Sequence, residues 1–161
     1  NYHSDVKTTF EFNFSGSFFQ GVRGNADIAV DDRQHLGYLF SSAMSSFVND
    51  DYDKALSIFR NVQAQLQTLN LEEAEQLEWQ YTIQLYLGAS KVGLWQLQQP
   101  GYFEWLTLKM GLGDTDWTLL IEAKEHFSKA QQLSVSSQSD ITPNQNLESI
   151  ISSINARMNF N

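Results

Sequence analysis

The stretch NDDYDKALSIFRNV, residues 49–62, carries the clearest fold signal in the chain. It opens with polar residues, and Asp51 stands where a helix N-cap is expected, because an aspartate oxygen accepts a hydrogen bond from the free N–H groups of the first turn. The apolar residues that follow recur every three or four positions, at Ala55, Leu56, Phe59 and Val62. This spacing predicts a turn and then an amphipathic helix with one buried face.

Another helix is predicted directly before this turn. Its apolar positions also recur at helical spacing: Leu36, Leu39, Phe40, Ala43, Met44 and Phe47. Asp31 or Asp32 is placed to cap its start. Two helices joined by a short polar turn are expected to pack as an antiparallel hairpin.

This helix pair resembles one unit of the tetratricopeptide-repeat family, a helix–turn–helix repeat of about 34 residues. Ala55 and Phe59 match the small and aromatic positions of the unit's second helix, while Leu39 and Ala43 match positions of its first helix. Ser42 departs from the pattern, because the family has a leucine there. The resemblance implies an all-α fold, a short irregular stack of antiparallel helical hairpins.

Two further helices are predicted downstream. Residues 71–97 carry apolar residues on two faces, so this long helix is expected to lie between neighbours on both sides. A helix over residues 117–133 repeats the small and aromatic pattern at Ala123 and Phe127. That repetition falls about two periods of roughly 34 residues after Ala55, as a repeat array would require.

Composition divides the chain into four parts. Residues 1–30 alternate phenylalanine with polar residues, which predicts an extended arm or hairpin that either packs in cis or docks on another chain. Residues 31–134 form the predicted helical domain, with an interruption rich in glycine and aromatic residues at 98–116. Residues 135–146 are a polar linker, and residues 147–161 are expected to form a capping helix.

Composition also limits the classes of partner. The 161 residues carry a formal net charge of −9, with 10 basic residues scattered along the chain, so nucleic-acid binding is not expected. No apolar run is long enough to predict a membrane span, and the absence of cysteine excludes disulfides and thiolate sites. A signal peptide before Asn1 would make the protein extracytoplasmic or secreted. The oligomeric state stays open.

The family resemblance implies a non-catalytic adaptor or scaffold that binds a peptide or helix of a partner protein. In that family, the first helices of successive repeats line a concave groove. Carried over by position, the expected partner-binding residues of this chain are Phe40, Met44, Phe47, Leu85, Ala89 and Val92.

Two alternatives remain open at this point. A helical domain that binds a small ligand or saccharide would use Trp95, Trp105 and Trp117, since indole rings stack on flat ligands. The same tryptophans are equally suited to packing in a core. A structural subunit of a larger complex, held by the phenylalanine-rich arm, is the other alternative.

No catalytic residue, cofactor or metal is expected. Glu122 and His126 lie four residues apart on a predicted helix, but a solvated carboxylate beside a surface imidazole explains the pair without a ligand. Asp114 and Asp116 resemble a calcium loop only superficially, because the central glycine and the downstream glutamate are missing. Turn and helix-cap roles account for both aspartates.

Overall fold

Five helices make up the part of the chain that is described. The computed structural model describes residues 30–98, 116–136 and 147–159. The helices are α1 (Val30–Val48), α2 (Tyr52–Thr68), α3 (Glu73–Leu97), α4 (Thr118–Ser136) and α5 (Leu147–Asn159). Every regular element in these ranges is a helix, which confirms the predicted all-α class. The expected arm, most of the interruption and most of the linker lie outside the described residues.

The turn between α1 and α2 forms as the sequence predicts. The Asp51 side chain accepts a hydrogen bond from the backbone N–H of Lys54, with a nitrogen–oxygen distance of 3.4 Å. Asp50 has a φ of 65°, a left-handed conformation that aspartate tolerates better than most residues. The Tyr52 hydroxyl donates to Asp50 Oδ1 at 3.1 Å, and burial together with this carboxylate raises the pKa of Tyr52.

The predicted N-terminal caps of α4 and α1 have different outcomes. The Asp116 carboxylate accepts from the Thr118 backbone N–H at 2.9 Å, and the hydrogen bonds from Thr118 lower the pKa of Asp116. The predicted cap is therefore confirmed at α4. At α1 it is wrong, because the helix begins at Val30 and Asp31 and Asp32 lie inside its first turn.

Helices α1 and α2 run antiparallel to each other. Across α1 and α2, the Phe40 ring lies 5.9 Å from Phe59 and the Phe47 ring lies 5.6 Å from Tyr52, so residue numbers rise on one helix as they fall on the other. Each ring pair meets edge to face, an arrangement favoured by the charge distribution of aromatic rings. The predicted helical hairpin is therefore present.

Close approach to α3 is possible because of two glycines. A Cβ atom built on Gly93 would lie 2.5 Å from the ring of Tyr52 in α2, and one built on Gly88 would lie 2.6 Å from the ring of Phe127 in α4. Any larger residue would collide with these rings. Helix α3 thus lies between α2 and α4, with one glycine facing an aromatic ring of each neighbour.

Helix α3 is the centre of the fold. Every residue from 81 to 91 is buried, which confirms the prediction that this helix has neighbours on both sides. Helix α5 packs against α4, where Leu147 and Ile154 are buried and Lys124 donates to the Asn155 side chain at 3.0 Å. Contacts between α1 and α2, α2 and α3, and α3 and α4 show that these neighbours are antiparallel, and a true tetratricopeptide repeat stays a prediction. Among the helices in the described ranges, none is long and apolar enough to cross a membrane.

Candidate functional site

The six residues expected to bind a partner do not line an open groove. Phe40, Phe47 and Ala89 are fully buried, Leu85 is 7% exposed, and Met44 and Val92 are half-buried against the core. The prediction that these six residues form an open partner-binding surface is therefore wrong for the buried residues Phe40, Phe47, Leu85 and Ala89. Phe40 and Phe47 face the core, where their rings contact rings of both α2 and α3.

Ring contacts show how α3 packs against these two phenylalanines. The Phe40 ring lies 5.7 Å from Trp79 and 6.1 Å from Tyr86, both on α3. The Phe47 ring lies 5.4 Å from that of Tyr86. These aromatic side chains therefore join α1 to α3 within the core, where a partner cannot reach them.

The tryptophans proposed as an alternative site have mixed outcomes. Trp95 is 6% exposed and stacks on Trp117 with 5.8 Å between ring centroids, and the Arg157 guanidinium lies 5.5 Å from the Trp95 ring centroid. This cluster joins the end of α3 to the start of α4 and to α5. Trp105 lies outside the described residues. A stacked and largely covered pair of indoles packs helices together and leaves little ring surface for a ligand.

Glu122 and His126 each bond to α3. Lys91 Nζ lies 3.1 Å from Glu122 Oε2, and His126 Nδ1 lies 2.7 Å from Gln84 Oε1. The Lys91 side chain is 8% exposed and that of Glu122 is 41% exposed, so the ion pair lies at the edge of the interface. Within the described ranges, no group of three or more side chains is placed to hold a metal ion.

The environment of His126 favours the uncharged ring. Burial lowers the pKa of His126 to about 4, and the positive charges of Lys91, Lys129 and Arg60 act in the same direction while Glu122 opposes them. The imidazole is therefore neutral at pH 7. A neutral ring carries one N–H and has one nitrogen free to accept a hydrogen bond.

A polar cleft lies between α2, α3 and α4. Its volume is about 420 Å³, within the range of roughly 300–1,000 Å³ that ligand sites occupy. Its ten lining residues come from the last turns of α2 and α4 and from the first half of α3: Gln63, Leu66, Gln67, Gln76, Gln80, Ile83, Gln84, Lys129, Gln132 and Leu133. Because the three helices alternate in direction, Gln84 and Lys129 lie toward one end of the cleft and Gln76 and Gln132 toward the other.

Glutamine dominates this cleft, with six of the ten lining residues. Each amide offers two donors and an acceptor oxygen, so the walls match ligands that also present both kinds of group. Leu66 and Ile83 are buried below them, and Leu133 is half-buried. Among the described residues of the lining, Lys129 is the one that carries a charge.

Reasoning from the sequence missed this site, although a signal for it was present. Gln63 and Gln67 are four residues apart, and so are Gln76, Gln80 and Gln84, so each set lies along one face of a helix. A glutamine stripe on an amphipathic helix is usually solvated surface. Only the gap between α2 and α4 makes these stripes face one another.

Comparison with known proteins adds no relative to these observations. The chain matches no protein-family model, no curated protein and no solved structure. The residues and the geometry of the cleft are therefore the basis for inferring function.

Proposed function

We propose that this protein is a non-catalytic binding domain that holds an extended peptide segment of a partner protein in the glutamine-lined cleft. The observation that carries the proposal is the set of six glutamines among the ten lining residues. The proposal keeps the expected class of function, protein binding. It moves the site from the buried aromatic residues of α1 and α3 to the cleft between α2 and α4.

Amide side chains suit a peptide main chain. An extended peptide presents N–H and C=O groups on both edges, and a glutamine can accept from one and donate to the other. The partner's main chain would then be recognised with little dependence on its sequence. Of the three apolar lining residues, Leu133 is half-buried and would contact a short apolar side chain of the peptide, while the buried Leu66 and Ile83 form the floor of the cleft.

The chemistry of the lining favours a peptide over a saccharide or nucleobase. None of the ten described residues that line the cleft is aromatic, so these residues offer no ring on which a sugar or base would stack. The same ten residues include no aspartate or glutamate, which commonly accept hydrogen bonds from sugar hydroxyls. Neutral amides match neutral main-chain groups instead.

A library of pentapeptides blocked by N-acetyl and C-terminal amide groups tests this proposal. The full chain, labelled with ¹⁵N, is titrated with selected binders while the side-chain NH₂ signals of glutamine are followed by NMR. We expect shifts in the signals of the lining glutamines, and weaker binding after Gln80→Met, which removes one amide at nearly constant volume.

The matched control is Gln65→Met on α2, because Gln65 is half-buried but does not line the cleft. This variant is expected to bind the peptides as the wild type does. Absence of binders in the library, or shifts confined to signals outside the cleft, would refute the proposed function.

A further inference from the structure

The end of the cleft near Gln84 has a fixed hydrogen-bond polarity. Gln84 is 8% exposed and its Oε1 lies 2.7 Å from His126 Nδ1. An amide oxygen can only accept, so the proton in this bond belongs to Nδ1. His126 therefore occupies the oxygen of Gln84 and leaves the NH₂ group of that amide without a hydrogen-bond partner among the described residues.

The position of His126 is itself held by its neighbours. The imidazole is neutral because burial and nearby cations lower the pKa of His126 to about 4, so the ring has a single proton. The hydrogen bond to Gln84 places that proton on Nδ1. A second contact, the ion pair between Lys91 and Glu122 at 3.1 Å, joins α3 to α4 about two turns from Gln84 on α3 and one turn from His126 on α4.

A second donor lies at the same end of the cleft. Lys129 follows His126 by three residues on α4, so the two side chains lie on the same side of that helix. Its ammonium group has three donors and no acceptor, and it makes no ion pair within the described ranges. Gln84 and Lys129 together present N–H groups at this end, whereas glutamines with both amide groups available are suited to either donors or acceptors.

We propose that His126 is a positioning residue that holds Gln84 Oε1, so that the NH₂ group of Gln84 is left to bind an oxygen acceptor of the ligand. The inference rests on the proposed function and assigns a polarity to one end of the same cleft. The acceptor is a main-chain carbonyl oxygen of the bound peptide, which Lys129 also attracts. An N–H group of the peptide is disfavoured at that place because it would face another donor.

The first test is the protonation of His126 in the unbound full chain. Long-range ¹H–¹⁵N spectra at pH 7 distinguish a ring protonated at Nδ1 from one protonated at Nε2. We expect the Nδ1-protonated form, which is the minor form of free histidine. A ring protonated at Nε2 would overturn the inference without affecting the proposed function.

The second test measures which group of the peptide is recognised. The tightest-binding blocked pentapeptide from the library is resynthesised with each C=O replaced in turn by C=S, a weaker acceptor, and with each N–H replaced by an ester oxygen. We expect one thioamide position to weaken binding by about threefold to tenfold, since one hydrogen bond is lost there. The ester that removes the N–H group nearest to this position is expected to change binding less.

Variants of His126 separate positioning from a structural role. In His126→Leu the Gln84 amide is free to rotate. The loss of peptide affinity caused by the thioamide should then fall below about twofold. His126→Gln places an NH₂ donor near the same oxygen. In this variant the thioamide should again weaken peptide binding, although less than in the wild type. The control His35→Leu removes an exposed histidine of α1 and should leave the full thioamide effect.

The outcomes are distinct. A thioamide effect that persists in His126→Leu, or a larger effect from the esters, would refute the positioning role while peptide binding itself survives. Failure of every blocked pentapeptide to bind the wild type would refute both proposals. A free C-terminal carboxylate that binds about tenfold tighter than the amide would support selection of an acceptor and identify its source as a carboxylate.

Discussion

Gly93 shows how a single residue sets the distance between two helices. The Tyr52 ring occupies the space that a Cβ atom of residue 93 would fill, 2.5 Å from the built position. The same relation links Gly88 to Phe127, at 2.6 Å. Glycine is intrinsically unfavourable within a helix, so the presence of two glycines in α3 is explained by these close ring contacts.

Gly93→Ala is expected to destabilise the protein by about 1–3 kcal/mol, because the added methyl group must displace a buried ring. Urea unfolding followed by circular dichroism measures this change. The control is Gly37→Ala in α1, where no heavy atom lies within 4 Å of the built Cβ. There we expect a gain of about 0.5–1 kcal/mol from helix propensity, and a loss at Gly37 equal to that at Gly93 would contradict the packing explanation.

His126 should make stability depend on pH between about 4 and 6.5. Its pKa is lowered to about 4 in the folded protein from an ordinary value of 6.5, so the unfolded chain binds more protons in this window. The stability contributed by the neutral ring is therefore complete above pH 6.5 and is lost as the pH falls toward 4. Because the ring is partly exposed, we expect a loss of about 1–2 kcal/mol.

The measurement compares urea unfolding of the wild type and of His126→Gln across this pH range. Burial raises the pKa of Glu78, which acts in the opposite direction, and the subtraction of the two proteins removes that contribution. The free energy of unfolding of the wild type minus that of His126→Gln should decrease as the pH falls from 6.5 to 4. A difference that stays constant would show that His126 is not protonated on unfolding.

At the scale of elements, the buried central segment of α3, residues 81–91, carries polar side chains. Ser90 is fully buried and its hydroxyl oxygen has no hydrogen-bond partner among the described residues. Thr82 is similarly buried but its hydroxyl donates to the backbone oxygen of Glu78 at 2.9 Å. The two hydroxyls therefore differ in energetic cost, although both lie on the same helix.

Ser90→Ala is expected to stabilise the protein by about 0.5–1.5 kcal/mol, because alanine removes an unpaired buried hydroxyl and favours the helix. The matched change Thr82→Val removes a hydroxyl that is hydrogen-bonded, and it should be neutral or destabilising. Thermal and urea unfolding of both variants give the comparison. Equal effects at the two positions would mean that the Ser90 hydroxyl is satisfied in solution.

The helix starts show where local sequence rules hold. Asp51 and Asp116 cap α2 and α4 as their positions predict, because a cap depends on atoms within one turn. Helix α1 begins earlier than predicted, at Val30, because neither of the two adjacent aspartates, Asp31 and Asp32, caps its start. The length of α3 was predicted well from its periodic apolar residues and from the polar segments that bound it.

At the scale of the whole molecule, the packing around α3 predicts which helices unfold locally before the rest. The central segment of α3 is buried on all faces, whereas α5 packs mainly against α4 at one edge. Segments that open only by global unfolding exchange their amide hydrogens most slowly. The fold therefore has a stable centre and a less stable edge.

We expect hydrogen–deuterium exchange to be slowest for amides of residues 81–91 and fastest, among the five helices, for α5. Exchange of α3 should match the global free energy of unfolding, while α5 should exchange through local opening. Mass spectrometry of peptic fragments measures both. Protection of α5 equal to that of α3 would show that the edge helix unfolds only together with the core.

The candidate site was less predictable than the fold for a physical reason. The aromatic residues Phe40 and Phe47 were expected to bind a partner, yet both are fully buried in the core. Large aromatic side chains gain much free energy from burial, so they favour the core over an open surface. The glutamines of the cleft lie on surfaces that local periodicity identifies only as polar. Whether such a surface is open solvent or the wall of a cleft depends on the neighbouring helices.

By itself, the sequence determined the all-α class, the approximate extents of the helices, the hairpin around residues 49–51 and the burial of Ala55 and Phe59, because helix formation and amphipathic burial depend on residues within a few turns. Tertiary structure alone decided that α2 and α4 flank α3 and leave a glutamine-lined cleft between them. It also decided that His126 bonds to Gln84 and not to its helical neighbour Glu122. These contacts join residues far apart in the chain, and their geometry follows from how the helices pack.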